Sequence, residues 1–474
     1  MKFTKLGKAL LLSALSAGIV LSVTSCIQSY TVGYLFVMGT VTAEPSGNGI
    51  VSGFKIDHNT GKLIPINGLP VASGGANPGR AVLFTSIHFL YVLNRGVNKE
   101  GGSDCTTADP CLNSNITQFS VGANGILTPQ QTFYTQGINP FRIIGDTNSN
   151  YIYVLDHDSP VTLSDGSIVP SSPANPNSNC AAALGNDKNG NPITTCGDIT
   201  AFKVDTTTGR LSLIVNSQVT SLTGTALPYF PVPSDAIDFV EASGYILTLT
   251  GTPTIGDTVF SYGFSPVTGQ LSVVLNSVNQ LTNSQNANGL VNNATAIVFP
   301  SGSYLYVLDN EPITVNGVVA SQSQILPYQV GASGSLNAAT SGAIPDDANQ
   351  ANPIYITSES KGKWFYVANY GNNTTGTGTA QSGIAGFVVN TPYLPTEMAG
   401  APIGFGTGGG PVCLVEDPSN QFFYTANFND STVSGQALDE QAGELKPLSQ
   451  ATHAPSSYSL TGQPTWCLID NRTN

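Results

Sequence analysis

Apolar and polar residues alternate along most of this chain in short runs, the period of a half-buried strand rather than of a helix. One run keeps returning: an aromatic residue, alternating apolar positions, then in most copies Asn or Asp. It reads Tyr34-Leu35-Phe36-Val37, Tyr91-Val92-Leu93-Asn94, Tyr153-Val154-Leu155-Asp156, Tyr245-Ile246-Leu247-Thr248, Tyr306-Val307-Leu308-Asp309, Tyr366-Val367-Ala368-Asn369 and Tyr424-Thr425-Ala426-Asn427. A second run couples a short strand to a turn and a leucine, as in Phe54-Lys55-Ile56-Asp57 before Thr60-Gly61-Lys62-Leu63, or Phe202-Lys203-Val204-Asp205 before Thr208-Gly209-Arg210-Leu211. A third often opens on proline, as in Asn77-Pro78-Gly79-Arg80, Asn139-Pro140-Phe141-Arg142 and Gln463-Pro464-Thr465. Each repeat therefore spells four short strands separated by turn residues. Seven such repeats predict an all-β chain, a seven-bladed β-propeller of four-stranded blades over residues 33–474. The chain enters on the aromatic strand and leaves on the proline-type strand, Thr465 to Asp470. The C-terminal strand is thus expected to complete the first blade and leave no sheet edge at the join.

The first residues break this pattern. Lys2, Lys5 and Lys8 precede an apolar run from Ala9 to Val23, too short to span a bilayer as a helix, which needs roughly 20 residues. Residues 1–25 read as an export signal. Thr24 and Ser25 beside Cys26 resemble the lipobox of bacterial lipoproteins, which implies acylation of the Cys26 thiol, residues 26–32 as a tether, and an exported cell-envelope lipoprotein held at the membrane by its anchor alone. The other reading is a plain secretory leader that happens to contain a cysteine. Seven cysteines are an odd number for an exported chain, and lipidation of Cys26 leaves six. Cys105 with Cys111 and Cys180 with Cys196 form two local pairs suited to an oxidising compartment. Cys413 and Cys467 are either a third pair or two buried thiols.

Composition narrows the partners. Only 9% of the 474 residues are charged, 40% are hydrophobic, and 16 basic residues face 29 acidic ones for a net charge of −13. That much apolar material can build a core, which excludes a disordered chain. The negative charge disfavours nucleic acid. No cofactor is expected, and four histidines without metal-ligand spacing argue against zinc. The chain reads as a monomer.

The aromatic run ending in Asn or Asp, coupled to Asp-x-x-Thr-Gly-x-Leu, resembles the lactonase-type seven-bladed propellers, similar to bacterial 6-phosphogluconolactonase and the YVTN-repeat proteins. The resemblance covers residues 33–474, rests on blade-building positions, and implies hydrolysis of a lactone or related sugar-acid ester. Such propellers resemble this chain in carrying Arg or His after proline on the innermost strands. Here Arg80 and Arg142 stand there, and with Arg95 they are the candidates to hold a small anionic substrate. His157, between Asp156 and Asp158, is a candidate general base, or else a solvated loop histidine. Asp146 and Asp235 are catalytic candidates among the inner-strand acids, which also include Asp238, Glu416 and Asp470; acids there are also common turn formers. The proline-type positions lack the histidines that lactonases of this type cluster there. The alternative is therefore a non-catalytic envelope propeller that recognises a glycan, peptide or protein through its long loops, Arg95 to Asn115 and His157 to Gly197 among them.

Overall fold

The computed structural model describes residues 30–41, 48–99, 102–251, 256–283, 289–299, 304–315, 318–339, 342–371, 382–389, 395–398 and 408–471. Cys26 and the leader lie outside them. The described residues form seven antiparallel four-stranded blades. In each, the proline-type strand is innermost, followed by the aromatic strand, the third strand and a short outer strand. Blade 3, for example, runs Ile138–Gly145, Tyr151–Asp158, Gly197–Val204 and Leu211–Leu213. The aromatic strands are packed between neighbouring blades on both faces, so Trp364–Asn369 and Phe422–Asn427 are buried at every position. Outer strands bury only one residue in three, as in Leu63–Pro65.

Blade 1 is assembled from both ends of the chain. Gln463–Asp470 pairs with Thr31–Thr40, Tyr34 opposite Asp470 and Val37 opposite Cys467. The first strand begins at Thr31, inside the segment expected to be tether. Cys105–Cys111, Cys180–Cys196 and Cys413–Cys467 are all disulfide-bonded. The third bond settles the open alternative for that pair. It joins the inner strand of blade 7, Pro411–Glu416, to the closing strand of blade 1.

The repeated sequence phrases now have a mechanical reason. The tyrosine of one blade donates its hydroxyl to a backbone carbonyl in the third-to-outer turn of the next. Tyr91 reaches Gly209 at 2.6 Å, Tyr153 reaches Gly269 at 2.9 Å, Tyr366 reaches Gly443 at 2.7 Å, and Tyr424 reaches across the closure to Gly61 at 2.6 Å. The turn must be glycine because its φ is positive and the neighbouring blade's ring lies directly on it. At Gly209, φ is +70° and a Cβ would stand 2.6 Å from the Phe89 ring. The aspartate that opens this turn caps it: Asp205 accepts from the amides of Thr207 and Thr208.

One feature differs from four plain strands. Third strands extend past their outer partners, which leaves an open backbone edge. In blades 1, 3, 5 and 7 the segment returning to the next blade covers that edge as a fifth strand. Val71–Ala76 lies along Asn48–Asp57, and Ser457–Ser459 along Thr432–Leu438.

Candidate functional site

Every inner strand opens with a β-bulge, a two-against-one mismatch with its aromatic partner. The register skips between Pro140 and Arg142, between Ala236 and Asp238, between Pro353 and Tyr355, and at the equivalent places in the other blades. The residue ahead of the bulge takes a left-handed conformation where asparagine precedes proline, with φ of 49° at Asn77, 60° at Asn139 and 59° at Asn352. The bulge re-aims two layers of side chains. The squeezed-out residues, among them Phe141, Thr295, Ile354, Val412 and Thr465, line a cavity of about 400 Å³ at the long-loop mouth of the central channel. The residues just after them form a ring at the throat, where Trp466, Arg80, Arg142, Asp238 and Tyr355 come from blades 1, 2, 3, 4 and 6. Arg80 and Trp466 line both this cavity and a second one of about 600 Å³ that opens on the short-turn face.

The throat is an ion-pair cluster. Asp238 is fully buried and its carboxylate spans the channel. Arg80 donates to it from NH1 at 2.8 Å and NH2 at 3.4 Å, Arg142 Nε stands 3.4 Å away, and the amide of Ile297 donates at 3.2 Å. Arg80 also lies over the Trp466 ring at 4.9 Å, a cation–π contact, and Trp466 meets Tyr355 edge-on. One carboxylate thus answers two guanidiniums, and a third, Arg95, lines the same mouth. Burial and the repulsion of Arg80 lower the pKa of Arg142 to about 10, and burial lowers that of Arg95. A guanidinium keeps its proton in a protein, so the mouth carries more positive charge than Asp238 alone answers.

Four polar atoms around this mouth are buried and lack a hydrogen-bond partner among the described residues: Arg95 Nε, Arg142 Nε, Trp466 Nε1 and Thr465 Oγ1. Arg142 Nε feels Asp238 as a charge but is not aligned for a hydrogen bond. The three nitrogens are obligate donors and the hydroxyl can be one. Buried donors without acceptors are costly, and an acceptor-rich, negatively charged group has the complementary chemistry.

The other expected residues fall elsewhere. His157 does not enter the mouth. It stacks on Phe141 at 3.8 Å from the far side of the wall and lines a neighbouring cavity of about 450 Å³. Burial, then Arg95 and Arg142, lower its pKa to about 4, so the ring is neutral at pH 7. Strand alternation turns Asp156 away from it, and Asp158, which lines the same cavity, is held by other partners. Asp156 accepts from Thr135 and Thr200, and Asp158 from Thr107 and Asn139. Asp146 lines the short-turn cavity, where its carboxylate takes the amides of Asn148, Asn150 and Tyr151 and shapes the turn. Asp235 lies half-buried ahead of the blade 4 inner strand, outside both channel cavities, with its pKa raised by burial. Glu416 accepts from Ser360 on the short-turn side, and Asp470 pairs with Tyr34 in the closing ladder. Trp466 and Thr465 were missed as site residues, although they stand in the same proline phrase as Arg80 and Arg142. Among the described residues no group of three or more His, Cys, Asp or Glu could hold a metal ion.

Asp156 also faces Asp198 directly across the blade 3 ladder, both carboxyls fully buried and both touching the Thr200 hydroxyl. Burial raises the pKa of each, and for Asp198 the charge of Asp156 raises it further. Burial therefore favours a proton on the folded pair in a pH range where the unfolded chain has released it. Stability contributed this way is full below the unfolded carboxyl value near 4 and is lost as pH rises through the folded values. Asp198→Asn replaces that proton with a permanent amide. The variant is expected to be more stable than wild type at pH 7–8 by on the order of 1–2 kcal/mol, with the gap closing near pH 4. Thermal unfolding across pH measures this; a gap that is constant with pH would contradict it.

No family profile matches the sequence, and no curated protein matches it. Solved structures do match in fold. The periplasmic gluconolactonase of Pseudomonas aeruginosa aligns with a TM-score of 0.57 at 14% identity, covering 92% of this chain and 99% of that one. Proteins proposed to be 6-phosphogluconolactonases from Bacteroides fragilis and Bacteroides uniformis align with TM-scores of 0.56 at 14% and 15% identity, each over 92% of this chain and 98% and 99% of theirs. At these identities the likeness is one of fold.

Proposed function

We propose that this propeller binds a small sugar acid, through its carboxylate or phosphate, in the long-loop mouth of its channel. The observation that carries the reading is the set of buried polar atoms around one cavity that lack a hydrogen-bond partner among the described residues, with Arg95 and Arg142 contributing charge and Trp466 a flat apolar wall. Arg80 is committed to Asp238 and acts as scaffold for the other two. The names of the fold neighbours favour an enzymatic version, hydrolysis of a sugar lactone, in which Arg142 steadies the acyl oxygen or the acid group. His157 would then serve as base only by reaching past Phe141, and its low pKa makes it a weak one. Binding is therefore the primary reading and turnover the secondary one.

Calorimetric titration with gluconate and 6-phosphogluconate tests the binding. The wild type is expected to bind at least one of them, and Arg142→Ala to weaken it by about 10- to 100-fold, the loss of a charge-assisted hydrogen bond. Equal affinity in both proteins, or no binding to either, would sink the reading. Turnover of glucono-δ-lactone by wild type but not by Arg142→Ala would add the enzymatic step. For location, we infer an exported chain anchored through Cys26, supported by the leader pattern and the three disulfides. A Cys26→Ser protein that still partitions with membranes would overturn the anchor.

A further inference from the structure

The cavity on the far side of Phe141 has a different chemistry. It is walled by the two disulfide-bonded insertions, Cys105–Cys111 from blade 2 and Cys180–Cys196 from blade 3, and encloses about 450 Å³. Among the described residues no Lys or Arg lines it. Its polar groups are hydroxyls, one amide, one imidazole and one carboxylate, from Thr195, Ser234, Ser172, Asn139, His157 and Asp158, set beside the apolar surface of Pro173 and the Cys105 disulfide. The hydroxyls of Thr195 and Ser234 have no hydrogen-bond partner among the described residues. Asp158 is held by Thr107 at 2.8 Å and Asn139 at 2.7 Å, one bond on each oxygen, so each oxygen keeps a lone pair for a further donor. Groups that both donate and accept, arranged without a cation, match the hydroxyls of a neutral sugar ring, which also both donate and accept. The two cavities share one wall, the Phe141–His157 stack, whose ring centroids are 3.8 Å apart. Phe141 faces the anion mouth and His157 faces the hydroxyl-lined cavity.

We propose that this cavity is a second subsite for a neutral sugar residue, so that the ligand is an acidic saccharide of at least two units: acid end in the arginine mouth, neighbouring sugar over the Phe141–His157 wall. The proposal rests on the anion-binding reading above and adds the size and class of the ligand. Its geometry predicts that a disaccharide acid gains contacts which a monosaccharide acid cannot make.

The test compares gluconate with lactobionate, a gluconate carrying one galactose, by calorimetry on the disulfide-intact protein. Lactobionate is expected to bind at least about 10-fold more tightly. Ser234→Trp, at an exposed position of the loop leading to blade 4, fills the second cavity and is expected to bring the two affinities within about twofold while leaving the gluconate value unchanged. Thr195→Phe, from the opposite insertion, is expected to do the same. Gluconate binding reports that each variant is folded. Equal affinities in the wild type, or a preference that survives both substitutions, would overturn the second subsite while leaving the anion mouth standing. Loss of binding to both ligands in the wild type would overturn both.

Discussion

Replacing Asp238 with alanine is expected to destabilise the protein by about 3–5 kcal/mol, because it strands buried charge rather than merely deleting a contact. Asp238 is the carboxylate that answers Arg80 and Arg142 in the throat, and it also holds the Ile297 amide of the next blade. Without it, two guanidiniums face each other in an enclosed channel, and the strands of blades 2, 3, 4 and 5 lose their common tie. Two further measurements separate this cause from a packing defect. A double-mutant cycle with Arg80→Met should recover part of the loss, because removing both partners leaves less uncompensated charge than removing one. Millimolar inorganic phosphate should raise the melting temperature of Asp238→Ala more than that of wild type, because an anion then supplies the missing charge. An Asp238→Ala protein as stable as wild type, or one that phosphate leaves unmoved, would contradict the ion-pair account.

The second large effect concerns the clasp at the ring closure. Cys413 and Cys467 lie on adjacent inner strands, 54 residues apart in sequence, and their bond ties blade 7 to the strand that completes blade 1. The chain-entropy cost of closing a loop of that length puts the stabilisation at about 4 kcal/mol. The double variant Cys413→Ser/Cys467→Ser should unfold at correspondingly lower denaturant, and limited proteolysis should cut first near Gln463–Asp470. The local Cys105–Cys111 loop spans only 6 residues, so its loss should cost less and should change ligand binding more than stability. Equal denaturation midpoints for the wild type and the Cys413/Cys467 variant would show that the ladder between Thr31–Thr40 and Gln463–Asp470 closes the ring unaided.

The blades were legible because each is built from the same local instructions: alternation, a tyrosine, a Thr-Gly turn and a proline. Arg80 and Arg142 were legible for the same reason, since both stand two residues after the proline of that phrase. Trp466 stands two residues after Pro464 and so occupies the same place in the repeat. That register, applied to all seven repeats rather than to charged residues alone, would have found it, and Tyr355 after Pro353 with it. What no local phrase could supply is the pairing of Asp238 with Arg80 across 158 residues of chain, because it depends on the ring bringing nonadjacent blades 2 and 4 to one axis. His157 illustrates the opposite limit. Asp156 and Asp158 flank it in sequence, but strand alternation turns Asp156 to the opposite face, and the oxygens of Asp158, in the same cavity, are held by Thr107 and Asn139 rather than by the ring.

The first blade owes its innermost strand to a segment more than four hundred residues further along the chain. A ribosome delivers Thr31–Thr40 some four hundred residues before Gln463–Asp470, so through nearly all of synthesis six blades can stack only as an open arc. During that interval the arc carries a raw flank at Thr31–Thr40, the kind of edge that recruits strands from other chains. A product clipped ahead of Gln463 would keep that flank for good. That eight-residue strand is thus the seal of the ring: a chain lacking it keeps the first blade open.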